Sequence, residues 1–198
     1  MIIGIDLDDV LADFITAYTY LAHVRYGEPA LGTLPVDWEW SNFGLTKEEQ
    51  AKVWDDIKVT PHFWECLRLE DGATGEMLRA LDKRHTLYYP TARVDTVGLT
   101  AAKQSANFLD RNFGIPHPTV IVGYEKGSLA AALKYDYFID DRPKNCLDIQ
   151  KAVPTCKVYL KDSSHNLAFD ADANGLTRVK DFDTFAKIIL NEEGKCAE

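Results

Sequence analysis

Apolar and polar positions along this chain fall into blocks that alternate between strand-like runs and helix-like stretches. Five short apolar runs, residues 2–6, 85–90, 119–123, 137–140 and 156–160, predict strands. Amphipathic stretches lie between them. Residues 73–84 place Met77, Leu78 and Leu81 on one helical face, and residues 97–113 run to Gly114 as a helix stop. Shorter helices are expected over 127–134, 144–153 and 183–190. Strands alternating with helices predict an α/β fold. Its expected form is a Rossmann-like parallel sheet with helices on both faces and right-handed crossovers.

Residues 16–72 break this rhythm. They contain no clean parallel strand, hold all four tryptophans (Trp38, Trp40, Trp54 and Trp64), and include a helical pattern over 46–58. Thr46 followed by Glu49 resembles a capping box. A segment of this length after the first strand predicts a small, mostly helical cap. The expected division is a core domain of residues 1–15 and 73–198 and a cap of residues 16–72. Most cap aromatics are expected to fill the cap's own interior.

Composition narrows the class. The 198 residues are 46% hydrophobic and carry a net charge of -9. That size fits one domain with a small insertion. An acidic surface repels phosphate backbones and anionic membranes, so neither a nucleic acid polymer nor a membrane is an expected partner. The cysteines, Cys66, Cys146, Cys156 and Cys196, form no C-x-x-C pair, which argues against a zinc site or a disulfide framework. No signal segment or membrane-length run is present, and a cytoplasmic setting is the default expectation.

The candidate chemistry sits where the predicted strands end. The first ends in Asp6-Leu7-Asp8-Asp9, the second in Thr91-Ala92-Arg93, and the fourth in Asp140-Asp141-Arg142. Lys126 opens the helix before the fourth strand, with Lys134 as a competitor at its far end. Open parallel sheets bind ligands at the carboxyl ends of their strands. Carboxylate pairs there suit a divalent cation, or a nucleophile beside an acid. Singly, each has a plain explanation: Asp8 or Asp9 as a helix cap, Asp140-Asp141 as a turn before Pro143, Lys126 as a surface lysine. Jointly they predict one site on one rim.

These motifs resemble the haloacid dehalogenase superfamily: Asp-x-Asp-x-Val after the first strand, a threonine after the second, a lysine, then Ile-Asp-Asp after the fourth. Asp6-Leu7-Asp8-Asp9-Val10-Leu11-Ala12-Asp13-Phe14, His62-Phe63-Trp64 with Leu67, and Phe138-Ile139-Asp140-Asp141-Arg142-Pro143 resemble the 5'(3')-deoxyribonucleotidase branch. The second motif departs from that branch, which carries Thr-Ser where this chain carries Thr91-Ala92. The resemblance implies a magnesium-dependent phosphatase that acts on (deoxy)nucleoside monophosphates through an aspartyl-phosphate. It implies Asp6 as nucleophile and Asp8 as acid and base. Mg2+ would be held by Asp6, the Asp8 backbone carbonyl and Asp140, with Asp141 in support. Thr91 and Lys126 would contact phosphate, Arg93 would steer the substrate, and Phe14 would stack on a base.

Other readings remain. A phosphatase of sugar phosphates or another small metabolite would share the chemistry. A haloalkanoic acid dehalogenase would need neither Asp8 nor a full magnesium site. A polynucleotide end phosphatase would want a basic groove. A non-catalytic protein that sequesters a nucleotide would be expected to lack Asp6 or Asp8. The expected partner is a small phosphorylated substrate, a nucleoside monophosphate first, and a homodimer is left open.

Overall fold

The computed structural model describes residues 1–196. Strand β1 (Ile2–Ile5) leads through a tight loop into β2 (Ala12–Asp13) and helix α1 (Phe14–Tyr26). Helix α2 (Lys47–Val59) and strand β3 (Arg68–Leu69) follow. The chain then alternates through α3 (Gly75–Asp82), β4 (Thr86–Thr91), α4 (Ala101–Phe113), β5 (Thr119–Val122), α5 (Lys126–Leu133), β6 (Tyr137–Asp140), α6 (Pro143–Ala152) and β7 (Lys157–Lys161). It closes with β8 (Thr177–Val179) and α7 (Phe182–Cys196).

Six strands form one sheet in the order β5-β4-β1-β6-β7-β8, and every pair is parallel. The chain leaves β1 for β4 and β5 on one side, then returns to the other side for β6. That reversal opens a crevice at the carboxyl ends of the central strands.

Strand periodicity divides the core between the two faces. Ile3, Ile5, Tyr89, Ile139 and Tyr159 share a buried cluster with Leu78 and Leu81 of α3, Phe108 of α4 and Phe185 of α7. Phe138, Val158 and Leu160 point the other way, onto Ala130 of α5 and Cys146 and Ile149 of α6. The first cluster continues into Phe14 and Tyr18 of α1 and Val53 and Ile57 of α2. No helix among the described residues is long and apolar enough to cross a membrane.

Gly4 lets the second face close. A Cβ there would lie 2.5 Å from Tyr135 Cε2 and 2.7 Å from Phe138 Cδ2. Both rings are fully buried, so neither can swing clear. Gly4→Ala is expected to cost about 1–3 kcal/mol through overpacking, read as a lower midpoint at unchanged slope in urea unfolding.

Differences from the sequence expectation have local causes. Antiparallel β2 and β3 pair where the segment between them leaves and rejoins the sheet, and two residues each leave no periodic trace. Helix α1 was not expected, because its buried face of Phe14, Ile15, Tyr18, Thr19 and Ala22 is matched by apolar Tyr20 and Val24 on the exposed side, which blurs the apolar stripe. Its signals are local: the Asp13 carboxylate accepts the Thr16 N–H, and Gly27 ends it at φ 75°. The short β8 was likewise missed. Helix α2 starts as expected, with Thr46 and Glu49 completing the capping box.

Candidate active site

Register brings the site together. Ile5 pairs with Ile139, so the next residues, Asp6 and Asp140, stand side by side beyond the two strands. The Asp6 N–H extends the ladder by donating to the Ile139 carbonyl at 3.1 Å. A compact loop follows, in which the Leu11 and Ala12 N–H groups both donate to the Leu7 carbonyl. Asp9 turns the chain at φ 55°, and its carboxylate accepts the Ile15 N–H. Aspartate tolerates this left-handed backbone better than most residues.

Lys126, the first residue of α5, reaches over both carboxylates. Its Nζ lies 2.7 Å from Asp6 Oδ1 and 2.7 Å from Asp140 Oδ2, and all three side chains are buried. Lys134 instead caps the other end of α5, exposed to solvent. Asp140 is held further by the Arg142 N–H at 2.8 Å and by Asn145 Nδ2 at 3.1 Å from each oxygen. Asn145 had no sequence signal beyond its place on the helix after Pro143.

Electrostatics follow from burial. Burial raises the Asp6 carboxyl well above its ordinary value, Asp140 adds to the rise, and Lys126 opposes it. Burial also raises Asp140, against the pull of Lys126. Asp9 is raised well above the ordinary range by burial and then by Asp141. Burial would lower the Lys126 ammonium, but Asp140 and Asp6 outweigh it and hold it above the usual lysine value. One buried lysine thus faces several buried carboxylates, a donor set short of positive charge.

That set fits a hard divalent cation. Oxygens of Asp6, Asp140 and Asp141 lie within 4.8 Å of one another, and carboxylate oxygens are the ligands such ions prefer. Thr91 is fully buried at the end of β4, and its Oγ1 has no hydrogen-bond partner among the described residues. An orphaned buried hydroxyl is costly, and an acceptor placed there would relieve it.

The expected steering residue, Arg93, is buried and already engaged. Its Nε donates to Asp8 Oδ1 at 3.0 Å and its Nη2 to the same oxygen at 2.7 Å. Its Nη1 donates to Ser105 Oγ at 2.9 Å. Arg142 instead lies with its guanidinium 4.1 Å from the Trp38 ring centre.

Residues 164–166, which follow β7, turn inward. His165 is buried, with Nε2 2.8 Å from Asp141 Oδ2 and its ring against Trp38.

A cavity of about 460 Å3 joins these groups. Asp6, Asp8 and Lys126 line one part of it, and Phe14, Tyr18 and all four tryptophans line another. As the sequence leads one to expect, most cap aromatics are core: Phe43, Phe63 and Trp64 are buried and Trp40 and Trp54 pack against them, while the tryptophans also line the cavity. Phe14 stacks on Trp54 at 5.4 Å and 29°, and Trp64 lies 5.7 Å away.

The family described as 5' nucleotidase, deoxy (pyrimidine), cytosolic type C protein matches residues 1–191. A protein of Chlorobaculum tepidum, provisionally named a 5'(3')-deoxyribonucleotidase, is 28% identical over 155 residues, covering 76% of this chain and 74% of its own. A D,D-heptose 1,7-bisphosphate phosphatase from B. bronchiseptica, solved with magnesium and phosphate, is similar in fold. It has a TM-score of 0.55 at 13% identity, over 96% of this chain and 98% of that one. A haloacid-dehalogenase-superfamily hydrolase from Ehrlichia chaffeensis gives a TM-score of 0.54 at 13% identity, covering 96% and 95%.

Proposed function

This chain belongs to the 5' nucleotidase, deoxy (pyrimidine), cytosolic type C family, and we infer its reaction from that premise. It is a phosphoric monoester hydrolase of the 5'-nucleotidase type. We propose that it dephosphorylates (deoxy)nucleoside monophosphates, with Mg2+ bound, through an aspartyl-phosphate on Asp6. The observation that carries the substrate reading is the single cavity, with carboxylates and a lysine in one part and stacked aromatic rings in another. A sugar phosphate offers no aromatic π face to those rings, whereas every base does.

Asp6 Oδ attacks phosphorus in line with the ester oxygen. The P–O bond to the nucleoside breaks, and Asp8 gives its proton to the departing alkoxide. Asp8 then takes a proton from water as the water oxygen attacks phosphorus. The bond between phosphorus and Asp6 breaks, and its electron pair returns to the carboxylate. Both side chains end as they began.

Lys126 neutralises charge on Asp6 and on the phosphoryl group. The Thr91 hydroxyl donates to a phosphoryl oxygen. Asp6, the Asp8 carbonyl and Asp140 would hold the metal, with Asp141 in support. When bound, Mg2+ supplies positive charge that draws an anionic substrate to an acidic protein and stabilises the transferring phosphoryl group. Phe14 stacks on the base. Residues 16–72 act as a cap over the core of residues 1–15 and 73–198, and the β2–β3 pair is its stalk. The cytoplasmic nucleotide pool is the proposed setting.

Metal and pH are linked. A carboxyl raised in the folded chain binds its proton more tightly there than when unfolded. Stability is therefore full below the ordinary value of 3.8 and falls as pH rises toward the raised values of Asp6 and Asp140. Bound Mg2+ offsets that loss. The difference in Tm between Mg2+ and EDTA is expected to grow between about pH 5 and pH 8, because the cation favours the charged carboxylates that burial disfavours. A difference that stays flat counts against the metal site.

Phosphate release from a panel of nucleoside monophosphates and sugar phosphates, in Mg2+ and then EDTA, tests the function. Metal-dependent release confined to nucleotides is expected. Release from sugar phosphates alone would overturn the substrate. Tight nucleotide binding with no release would point to a sequestering protein.

A further inference from the structure

We propose that Arg93 is a positioning residue for Asp8, and not a direct ligand of the substrate phosphate. The inference rests on the reaction proposed above, in which Asp8 moves the proton.

The guanidinium is fixed from several directions. The Arg93 side chain is wholly buried, while that of Asp8 keeps 24% of its surface open. The Arg93 carbon at the centre of the guanidinium lies 4.9 Å from the Trp64 ring centre and 5.8 Å from that of Phe108. Its Nη1 donates to Ser105 Oγ, which in turn donates to the Ala101 carbonyl at 2.7 Å inside α4. The group is thereby tied to a helix on one edge and packed against aromatic rings. Its remaining edge faces Asp8.

That edge treats the two Asp8 oxygens differently. Oδ1 accepts Nε at 3.0 Å and Nη2 at 2.7 Å, whereas Oδ2 has only the longer Nε contact at 3.2 Å. A planar fork on a carboxylate fixes its plane as well as its place. Oδ1 is held, and Oδ2 is the oxygen left to face the leaving group and later the water. Lysine offers a point charge and no such fork.

The alternative is that Arg93 leaves Asp8 for the phosphate. It would have to break these bonds inside a buried site and strip Asp8 of its partner, a costly exchange. Lys126 already provides positive charge at Asp6, 2.7 Å from its Oδ1.

Steady-state kinetics of the full chain in Mg2+, on the nucleoside monophosphate that the panel selects, test this. Arg93→Ala is expected to lower kcat about 100-fold with KM little changed. Arg93→Lys is expected to remain impaired, and guanidinium ion in the buffer to recover part of the Arg93→Ala loss. In an Asp8→Asn background, Arg93→Ala should cause no further fall, because the two act as a unit. A rise in KM at constant kcat overturns the proposal, as does a full additional loss on Asp8→Asn. An Asp8→Asn protein of undiminished activity overturns the proposed reaction itself, and is seen without touching Arg93. Where Arg93→Ala does not fold, Ser105→Ala releases one anchor of the fork. The same kcat loss at constant KM, absent on Asp8→Asn, is expected of it, and a KM effect alone overturns the proposal.

Discussion

Asp6→Asn is expected to abolish turnover without unfolding the protein. Asparagine keeps the shape of the side chain but offers no anionic oxygen to attack phosphorus. Loss of a nucleophile that acts within a concerted set lowers kcat by about 10^4-fold or more. The fold should tolerate the change, because Lys126 keeps Asp140 as a partner at 2.7 Å. It should even gain in EDTA. The Asp6 carboxyl is raised first because burial disfavours its charged form and then because of Asp140, and a neutral amide removes both penalties. An unchanged or higher Tm in EDTA, together with lost phosphate release, is the expected pair of results. A substantial residual rate would remove Asp6 from the nucleophile's role.

Lys126→Met should fail in the opposite way, losing stability along with activity. Methionine fills similar space but leaves Asp6 and Asp140 facing each other with no cation between them. Removing one partner from a buried ion pair costs about 3–5 kcal/mol, and here one lysine serves two carboxylates. The protein can lessen that cost by keeping protons on the carboxylates, so the deficit in EDTA should be larger at pH 8 than at pH 5. Saturating Mg2+ should restore part of the stability but not kcat, since the charge on the phosphoryl group still lacks its lysine. Chemical denaturation at both pH values, with and without Mg2+, checks this. A stability independent of Lys126 would mean that the carboxylates are not paired through it.

The two variants separate roles that the sequence presents together. The rim of the sheet was legible because its logic is local: each motif follows a strand, and parallel strands in register bring their ends to one level. Asp6 and Asp140 meet because Ile5 pairs with Ile139, and the apolar run before each aspartate predicts such a strand. Lys126 was legible as the start of a helix on the same rim, but its bridging of two carboxylates was not. The partnership of Asp8 with Arg93 joins positions 85 residues apart and left no trace in local pattern. Nor did Ser105, which anchors Arg93 from inside α4.

The segment between β1 and α3 was the least legible region. Its helix α1 carries exposed Tyr20 and Val24 opposite its buried face, so the usual apolar stripe does not stand out. Its tryptophans are frequent core residues, and composition alone cannot distinguish a packed interior from a cavity wall. Here Trp64 does both: it is 1% exposed, yet it lines the cavity and supports Arg93. His165 was hidden for a different reason. Its loop is short and polar, as surface loops are, and it is drawn inward by His165 at Asp141 and by Asn166, which donates to the Asp141 and Lys161 carbonyls.

The most direct test of the account is to catch the phosphate on the enzyme. A nucleoside monophosphate labelled in its phosphate would be mixed with excess protein and Mg2+, quenched in acid within the first turnover, and digested for mass spectrometry. The account predicts a transient phosphate on the N-terminal peptide at Asp6, rising before free phosphate and decaying into it. Free phosphate that appears at its full rate with no phosphate ever found on Asp6 would contradict it.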